Sequence, residues 1–384
     1  MPSRSTPENP TRMTHPVVLQ AGLAEYELVR SLGQGHHGEL LLTRQRYHDG
    51  PGGYTVMKRL NRVVRQEDYQ RLVEEARLGG MLRHPNIVAV QLLAGTAAEP
   101  MLLLEYVEGQ PLGDLMRLAA RAGRSFSVAF ACYVTSEVAD ALHHAHGVHD
   151  DKGRPLGVVH RDVTPQGILV GRHGEVKLMD FGAAWSRLEG RISTEGDTDL
   201  GNIAYCSPER AMLDSLDGRS DLFSLGLVLL QLLTGRHLLD AGDRHEAELL
   251  TRQLRARGEG AGRVPGLEEE MSPTRTTELM KRMRQLSSRD VEEAVSPVPE
   301  GLRSLLLRAL APRREDRYST GAELAQELRD YLWRNGLRYG RAELVAEVSA
   351  LARDVLEELE EPAEGSKRGK PAPRGRRGGP GKES

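Results

Sequence analysis

Two acidic residues, each in a distinctive setting, carry the chemistry of this 384-residue chain. Asp162 lies in His160-Arg161-Asp162-Val163-Thr164-Pro165-Gln166-Gly167, and Asp180 lies in Leu178-Met179-Asp180-Phe181-Gly182. Asp162 is placed to accept the proton of an attacking hydroxyl, and Asp180 to hold a magnesium ion that bridges phosphates. The stretch between them leaves room for a short strand pair, Ile168 to Val170 and Glu175 to Met179, so each carboxylate sits on its own loop.

Upstream, Leu32-Gly33-Gln34-Gly35-His36-His37-Gly38-Glu39-Leu40 joins two expected strands. Gly33, Gly35 and Gly38 let the backbone approach phosphate oxygens that side chains would exclude. This spacing also opens dinucleotide-binding folds, or serves as a plain turn, but here a strand rather than a helix follows. On that strand, in Thr55-Val56-Met57-Lys58, the lysine is within reach of a triphosphate, and Glu75 on the next helix is its expected ion-pair partner. Taken singly both are ordinary surface charges; their order after the glycine loop points to a nucleotide. Glu105-Tyr106-Val107 closes the strand region with backbone groups that suit an adenine edge.

Other polar clusters have plainer readings. His36 and His37 would touch phosphate if protonated, although an exposed loop tip explains them as well. His143, His144, His146 and His149 raise the idea of a metal site, yet they read as the end of a long helix, and no metal is expected there. Ser186, Ser193, Thr194 and Thr198 lie between Ala183 and Gly201, and Arg161 could pair with a phosphate on one of them; a flexible polar loop is the alternative.

These residues must be positioned by two unlike halves. Strand patterns run over Tyr26 to Leu32, Glu39 to Arg44, Thr55 to Leu60, Ile87 to Leu93 and Met101 to Tyr106, interrupted by one helix from Glu67 to Leu82. After the hinge Glu108-Gly109-Gln110-Pro111 come long amphipathic helices: Leu112 to Arg121, Ser127 to His146, Asp221 to Leu233, Glu300 to Leu310 and Ala322 to Asn335. The fold class is therefore α+β, with a small β-rich lobe at 26–107, a larger helical lobe at 108–335 and a cleft between them. Residues 1–25 are expected to be a disordered leader without a signal peptide. Residues 240–297 are expected to form an extended, partly mobile charged insertion, with helical patches at His245 to Arg257 and Thr276 to Gln285. A helix at 336–361 precedes a basic disordered tail at 362–384, which suits an acidic partner or nucleic acid no better than plain solvent.

Composition narrows the class. Hydrophobic residues make up 39% and charged residues 28%, which suits a soluble globular chain. A net charge of −3 points to neither nucleic acid nor a membrane. Cys132 and Cys206 are too far apart for a zinc motif, so a reducing, cytoplasmic setting is expected. The longest apolar run, Leu222 to Leu233, falls short of the roughly 20 residues that cross a bilayer and reads as a buried helix.

With Tyr205-Cys206-Ser207-Pro208-Glu209, Asp221 and Arg317 added in order, the chain resembles the bacterial serine/threonine protein kinases over residues 26–335. The resemblance implies ATP with Mg2+ (Mn2+ as a substitute), and a protein substrate or signalling partner. It also implies roles: Lys58 on the α- and β-phosphates, Glu75 as its partner, Asp162 as base and Asp180 on the metal. Leu32, Leu40, Val56 and Leu169 would enclose adenine, Glu209 with Arg317 would anchor the substrate-side loop, and Asp221 would be a structural residue.

Departures from the family pattern set the functional question. Gly167 stands where the family has a metal-binding asparagine, Thr164 where it has lysine, and Asn202 where it has threonine; Val56 replaces the usual alanine. In the subgroup with a His-Arg-Asp-Val-Ser/Thr-Pro-Gln-Asn loop the lost lysine often reappears at the position of Asn202, and here it does not. Removing one preorganised charge-stabilising group costs about 3 kcal/mol, a hundredfold in rate. The expectation is a protein serine/threonine kinase with weakened turnover. The alternative is a pseudokinase that binds nucleotide and acts as a signalling scaffold. Small-molecule kinases of related fold are disfavoured by the Ser207-Pro208-Glu209 segment and the long loop before it.

Overall fold

The computed structural model describes residues 16–35, 38–60, 66–96, 98–188, 203–239 and 273–360. In the first lobe, β1 (Val17–Ala21), β2 (Ala24–Gly35), β3 (Gly38–Tyr47), β4 (Gly50–Leu60), β5 (Val90–Gly95) and β6 (Pro100–Glu105) pair antiparallel in the order β1-β2-β3-β4-β6-β5. Helix α1 (Gln66–Met81) lies between β4 and β5 in the chain.

Period-two alternation decides which side chains meet. Leu41, Met57, Met101 and Leu103 pack with Ala24 and Tyr26 on one face. On the other, Leu60 and Leu102 meet Leu72 of α1, with Ala76 and Leu104 against them. Lys58 is the cross-strand partner of Leu102 and so shares the α1 face. Helix α1 thereby covers an apolar surface and brings Glu75 to the lysine.

The disordered leader expected over 1–25 does not hold for residues 17–25. Val17–Ala21 is a strand, joined to β2 by a turn in which Gly22 adopts φ +61°, a conformation glycine takes without steric cost. The apolar Val17, Val18 and Leu19 drive the pairing, and Val18 and Leu19 pack on the first core.

In the second lobe, β7 (Gly109–Pro111), β8 (Ile168–Gly171) and β9 (Val176–Leu178) form a small sheet. The helices are α2 (Leu112–Arg121), α3 (Val128–His146), α4 (Pro208–Ala211), α5 (Gly218–Thr234), α6 (Pro273–Arg284), α7 (Ser288–Val295), α8 (Glu300–Ala309), α9 (Gly321–Arg334) and α10 (Arg341–Glu360). Helix α5 is buried all round, with Leu222, Phe223, Leu227, Val228 and Leu229 inaccessible to water. Each such side chain contributes about 1.5–3 kcal/mol of transfer free energy, which makes α5 the spine of this lobe. Ser127 caps α3 by accepting from the Phe130 N–H at 3.0 Å, and Gly235 ends α5 at φ +69°.

Residues 240–272, including the helical patch expected at His245 to Arg257, lie outside the described residues, as do 1–15 and 361–384. From Pro273 onward the charged region folds as α6 and α7, which bury Leu279, Met283, Val291 and Val295. Helix α10 buries Leu344 and Leu351, and Glu347 accepts from the Ser127 N–H at 2.7 Å. Among the described residues, no helix is long and apolar enough to cross a membrane.

Candidate active site

Lys58 is the centre of the cleft. Its Nζ stands 2.8 Å from Glu75 Oε2, 3.0 Å from Glu75 Oε1 and 3.4 Å from Asp180 Oδ1. A buried carboxylate such as Glu75, 8% exposed, needs a partner, and the lysine on the facing strand supplies it. Burial alone would push the Lys58 amine down, but Glu75 and Asp180 outweigh it and hold it above the ordinary lysine range. The same lysine holds the Asp180 carboxyl below its usual range.

Asp180 is set by local geometry. It adopts φ +66° and ψ +70°, and its Oδ1 accepts from the Gly182 N–H at 3.3 Å. A left-handed non-glycine residue costs about 1–2 kcal/mol, which this bond and the lysine contact help offset. Phe181 behind it is buried and meets the His160 ring edge-on, with centroids 4.5 Å apart. Gly182 has a steric role that sequence reasoning missed. A Cβ there would lie 3.0 Å from both Asp180 Oδ1 and Glu75 Oε2.

A second left-handed residue, Arg161 at φ +72°, bends the loop that carries Asp162. Asp221 stabilises the bend, its carboxylate accepting from the N–H groups of His160 (2.8 Å) and Arg161 (2.9 Å). His146 Nε2 donates to the same carboxylate at 2.8 Å. Burial opposes ionisation of Asp221, but these donors prevail and keep its carboxyl below the usual range. His160 Nδ1 accepts from the Asp162 N–H at 3.2 Å, so its proton belongs on Nε2, 3.1 Å from the Met179 carbonyl. His160 therefore ties the loop of Asp162 to the loop of Asp180. His146, read as an ordinary helix end, is thus a support of the loop that carries Asp162, and no sequence signal links it to a residue so far along the chain. Among the described residues no group of histidine, cysteine or acidic side chains is arranged to hold a metal by itself.

At Gly167 the backbone makes no demand for glycine. An added Cβ would meet Asp162 O at 3.5 Å, Thr164 Oγ1 at 3.6 Å and Met179 O at 3.9 Å, all ordinary contacts. Thr164 accepts from the Gly167 N–H at 3.2 Å, so the threonine caps the short turn that leads into β8. One site for a divalent cation remains chemically reasonable. The described contacts of Asp180 fall on Oδ1, and its side chain is 51% exposed, leaving Oδ2 as an acceptor. Gly167 offers no second ligand.

The residues expected to meet a nucleotide lie on β2, β3, β4 and β8 and at the end of β6. Leu40 pairs with Gly33 and Lys58, and Val56 pairs with Leu42 and Leu104. Gly38 touches β4 so closely that a Cβ would fall 2.1 Å from the Arg59 carbonyl oxygen. Leu32 is partly exposed, and Leu169 on β8 pairs with Pro111 and Lys177. Gly35 pairs with Gly38, while His36 and His37 lie outside the described residues. The Glu105 N–H is spent on the Ala89 carbonyl at 2.9 Å. Ser193, Thr194, Thr198 and Asn202 also lie outside the described residues.

Deeper in the second lobe, Arg317 and Glu209 form a bidentate pair at 2.7 and 2.9 Å, with side chains 0% and 8% exposed. Every N–H of the guanidinium is used, the others reaching the carbonyls of Ala311, Pro312 and Arg219. Burial would raise the Glu209 carboxyl, but Arg317 and Ser220 outweigh it and hold it below its usual range.

Comparison with known proteins identifies the family. The chain matches the protein kinase domain family over residues 26–333. It is 30% identical to the tyrosine-protein kinase MasK of Myxococcus xanthus, over 84% of this chain and 46% of that protein. It is 31% identical to the serine/threonine-protein kinase Pkn1 of Myxococcus xanthus, over 90% and 43%. It is 32% identical to the serine/threonine-protein kinase PknJ of Mycobacterium tuberculosis, over 72% and 45%. This chain thus spans under half the length of these relatives. In fold it is similar to the kinase domain of Mycobacterium tuberculosis PknI, with a TM-score of 0.50 at 22% identity, over 79% of this chain and 95% of that one.

Proposed function

The chain belongs to the protein kinase domain family, and on that premise we propose that it moves the γ-phosphate of ATP to a serine or threonine hydroxyl of a protein, with weakened turnover. Members of the family use ATP and a divalent cation. The observation that carries the reading is the cluster at Lys58, where one amine lies within 3.4 Å of carboxylates from both lobes. An assembled cluster of this kind is what an ATP phosphate chain requires: a fixed cation, with an acidic group opposite to hold a metal.

In this reading Gly33, Gly35 and Gly38 offer their backbone to the phosphates, and Lys58, steadied by Glu75, neutralises the α- and β-phosphates. Leu32, Leu40, Val56 and Leu169 enclose the adenine, whose edge meets the Glu105 carbonyl and the Val107 N–H. Asp180 holds Mg2+, with Mn2+ as a substitute; the bound ion would neutralise charge that develops on the transferred group. Asp162 accepts the proton of the attacking hydroxyl, and Arg161 is the partner for a phosphorylated loop. Asp221, Glu209 and Arg317 maintain the loops. Turnover is weak because Gly167 removes a metal ligand and Thr164 a positive charge, about 3 kcal/mol for one such loss. The reading assigns the reaction to the cytoplasm, where ATP is available and free thiols such as those of Cys132 and Cys206 stay reduced.

One observation favours a second reading, a pseudokinase scaffold. Gly167 is not required by the backbone, so its lack of a side chain is a chemical choice rather than a steric one. Purified protein incubated with labelled ATP, Mg2+ or Mn2+ and a mixed protein substrate separates the two. Label that exceeds an Asp162→Asn control, recovered as phosphoserine or phosphothreonine, supports the enzyme. Label on tyrosine alone would move the acceptor to the class named for MasK. ATP-dependent thermal stabilisation with no label above the control supports the scaffold.

A further inference from the structure

Lys177 and Glu105 join the two lobes beside the adenine slot. Lys177 Nζ lies 2.9 Å from Glu105 Oε1 and 3.0 Å from Oε2, with side chains 12% and 31% exposed. The same carboxylate accepts from the Ala89 N–H at 3.1 Å, while the Ala89 carbonyl accepts from the Glu105 N–H at 2.9 Å. Glu105 is therefore held by both its backbone and its side chain at the end of β6.

The base of the lysine is equally informative. Lys177 is the cross-strand partner of Leu169, so the two share one face of the β8–β9 sheet, while Ile168, Val170, Val176 and Leu178 turn into the core. Lys177 thus rises from the surface that carries Leu169 and ends on Glu105. It spans the floor of the slot and the strand end that would present backbone groups to the base.

Two further bonds make this edge rigid. The Val88 N–H donates to the Leu178 carbonyl and the Leu178 N–H to the Asn86 carbonyl, at 2.9 and 2.8 Å. Asn86 Nδ2 reaches the Val176 carbonyl and Glu137. The segment before β5 is thereby laced to β9; the Glu105–Ala89 bonds carry that lacing to residue 105, and the Lys177–Glu105 contact ties the same residue to β9 directly.

We propose that Lys177 and Glu105 are a positioning pair that sets the end of β6 over Leu169 and preshapes the slot for a purine ring. The inference rests on the nucleotide reading above and adds a determinant of purine affinity separate from the phosphate-binding Lys58. An immobile slot avoids the ordering cost of a hinge that must be fixed when the nucleotide arrives.

The test uses the full chain. Lys177→Met keeps the apolar stem beside Leu169, Glu105→Gln removes the anion, and Lys177→Arg keeps the charge. Binding of ADP and of inorganic tripolyphosphate, each with Mg2+, is measured by calorimetry, and amide exchange is followed in nucleotide-free protein. ADP affinity is expected to fall about tenfold in Lys177→Met and in Glu105→Gln, with no further loss in the double variant. Lys177→Arg should stay within about twofold of the natural chain, and tripolyphosphate should bind all variants alike. Exchange at the Ala89 amide should quicken in both single variants. Equal ADP affinity throughout, or an equal loss for tripolyphosphate, overturns the proposal. If the natural chain binds no ADP, the nucleotide reading falls; unchanged Ala89 exchange then overturns the pair as well, whereas faster exchange supports it as the determinant of that strand end.

Discussion

A methyl group on Gly182 would stand 3.0 Å from Glu75 Oε2, closer than side chains ordinarily pack. The same point lies 3.0 Å from Asp180 Oδ1 and 3.3 Å from Lys58 Nζ, so a side chain here would press on the cluster. Gly182→Ala should force these polar atoms apart by a few tenths of an ångström. Phosphotransfer should drop about tenfold, since small misplacements at a reacting centre are costly. Parallel rate and melting measurements check this, because the effect should appear in rate with little change in Tm.

Breaking the buried Arg317–Glu209 pair should be far more damaging to the fold. Arg317→Met leaves Glu209 without its cation in a site 8% exposed, and the expected loss is about 3–5 kcal/mol. Urea denaturation of the variant measures it. Arg317→Lys should recover only part, because lysine cannot supply the five bonds that the guanidinium makes.

Acid should weaken the protein through Asp221 and Glu209. Both carboxyls sit below their ordinary range in the fold, so their contribution is complete above the unfolded value of about 4 and is lost as pH falls through the folded values. Asp221→Asn should be less stable at pH 7 and approach the natural chain as pH drops below about 4. Stability measured by urea titration across that window would show the two curves converging.

Alkaline pH should have the opposite signature at Lys58. Its amine is held above the ordinary lysine range, so the charge that would meet the phosphates persists as pH rises. ATP affinity should stay level from pH 7 to about 9.5, and Glu75→Gln should decline earlier within that range. Calorimetric titrations at stepped pH values check the difference.

Much of the architecture was legible because its signals are local. The short apolar runs Leu40 to Leu42 and Val56 to Met57, with glycine and charged residues around them, mark paired strands, and the periodicity of Arg341 to Glu360 marks the helix found there. The order of the glycine loop, Lys58, Glu75, Asp162 and Asp180 pointed to one cleft. What escaped are contacts that only tertiary packing creates. His146 reaches Asp221 across two helices, Lys177 reaches Glu105 across the lobes, and the need for glycine at 182 depends on where Glu75 comes to rest. Strand β1 escaped because three apolar residues in a Pro- and Thr-rich stretch are too short a pattern to stand out.

The most direct test of a weakened kinase is a single-turnover rate with Mg·ATP for the natural chain, Gly167→Asn and Asp162→Asn. A Cβ at 167 meets only ordinary contacts and the backbone there is not left-handed, so Gly167→Asn should fold normally. The account predicts slow label transfer by the natural chain, at least about tenfold faster transfer by Gly167→Asn, and none by Asp162→Asn. If the natural chain and Gly167→Asn both bind ATP yet transfer no more label than Asp162→Asn, the account is contradicted.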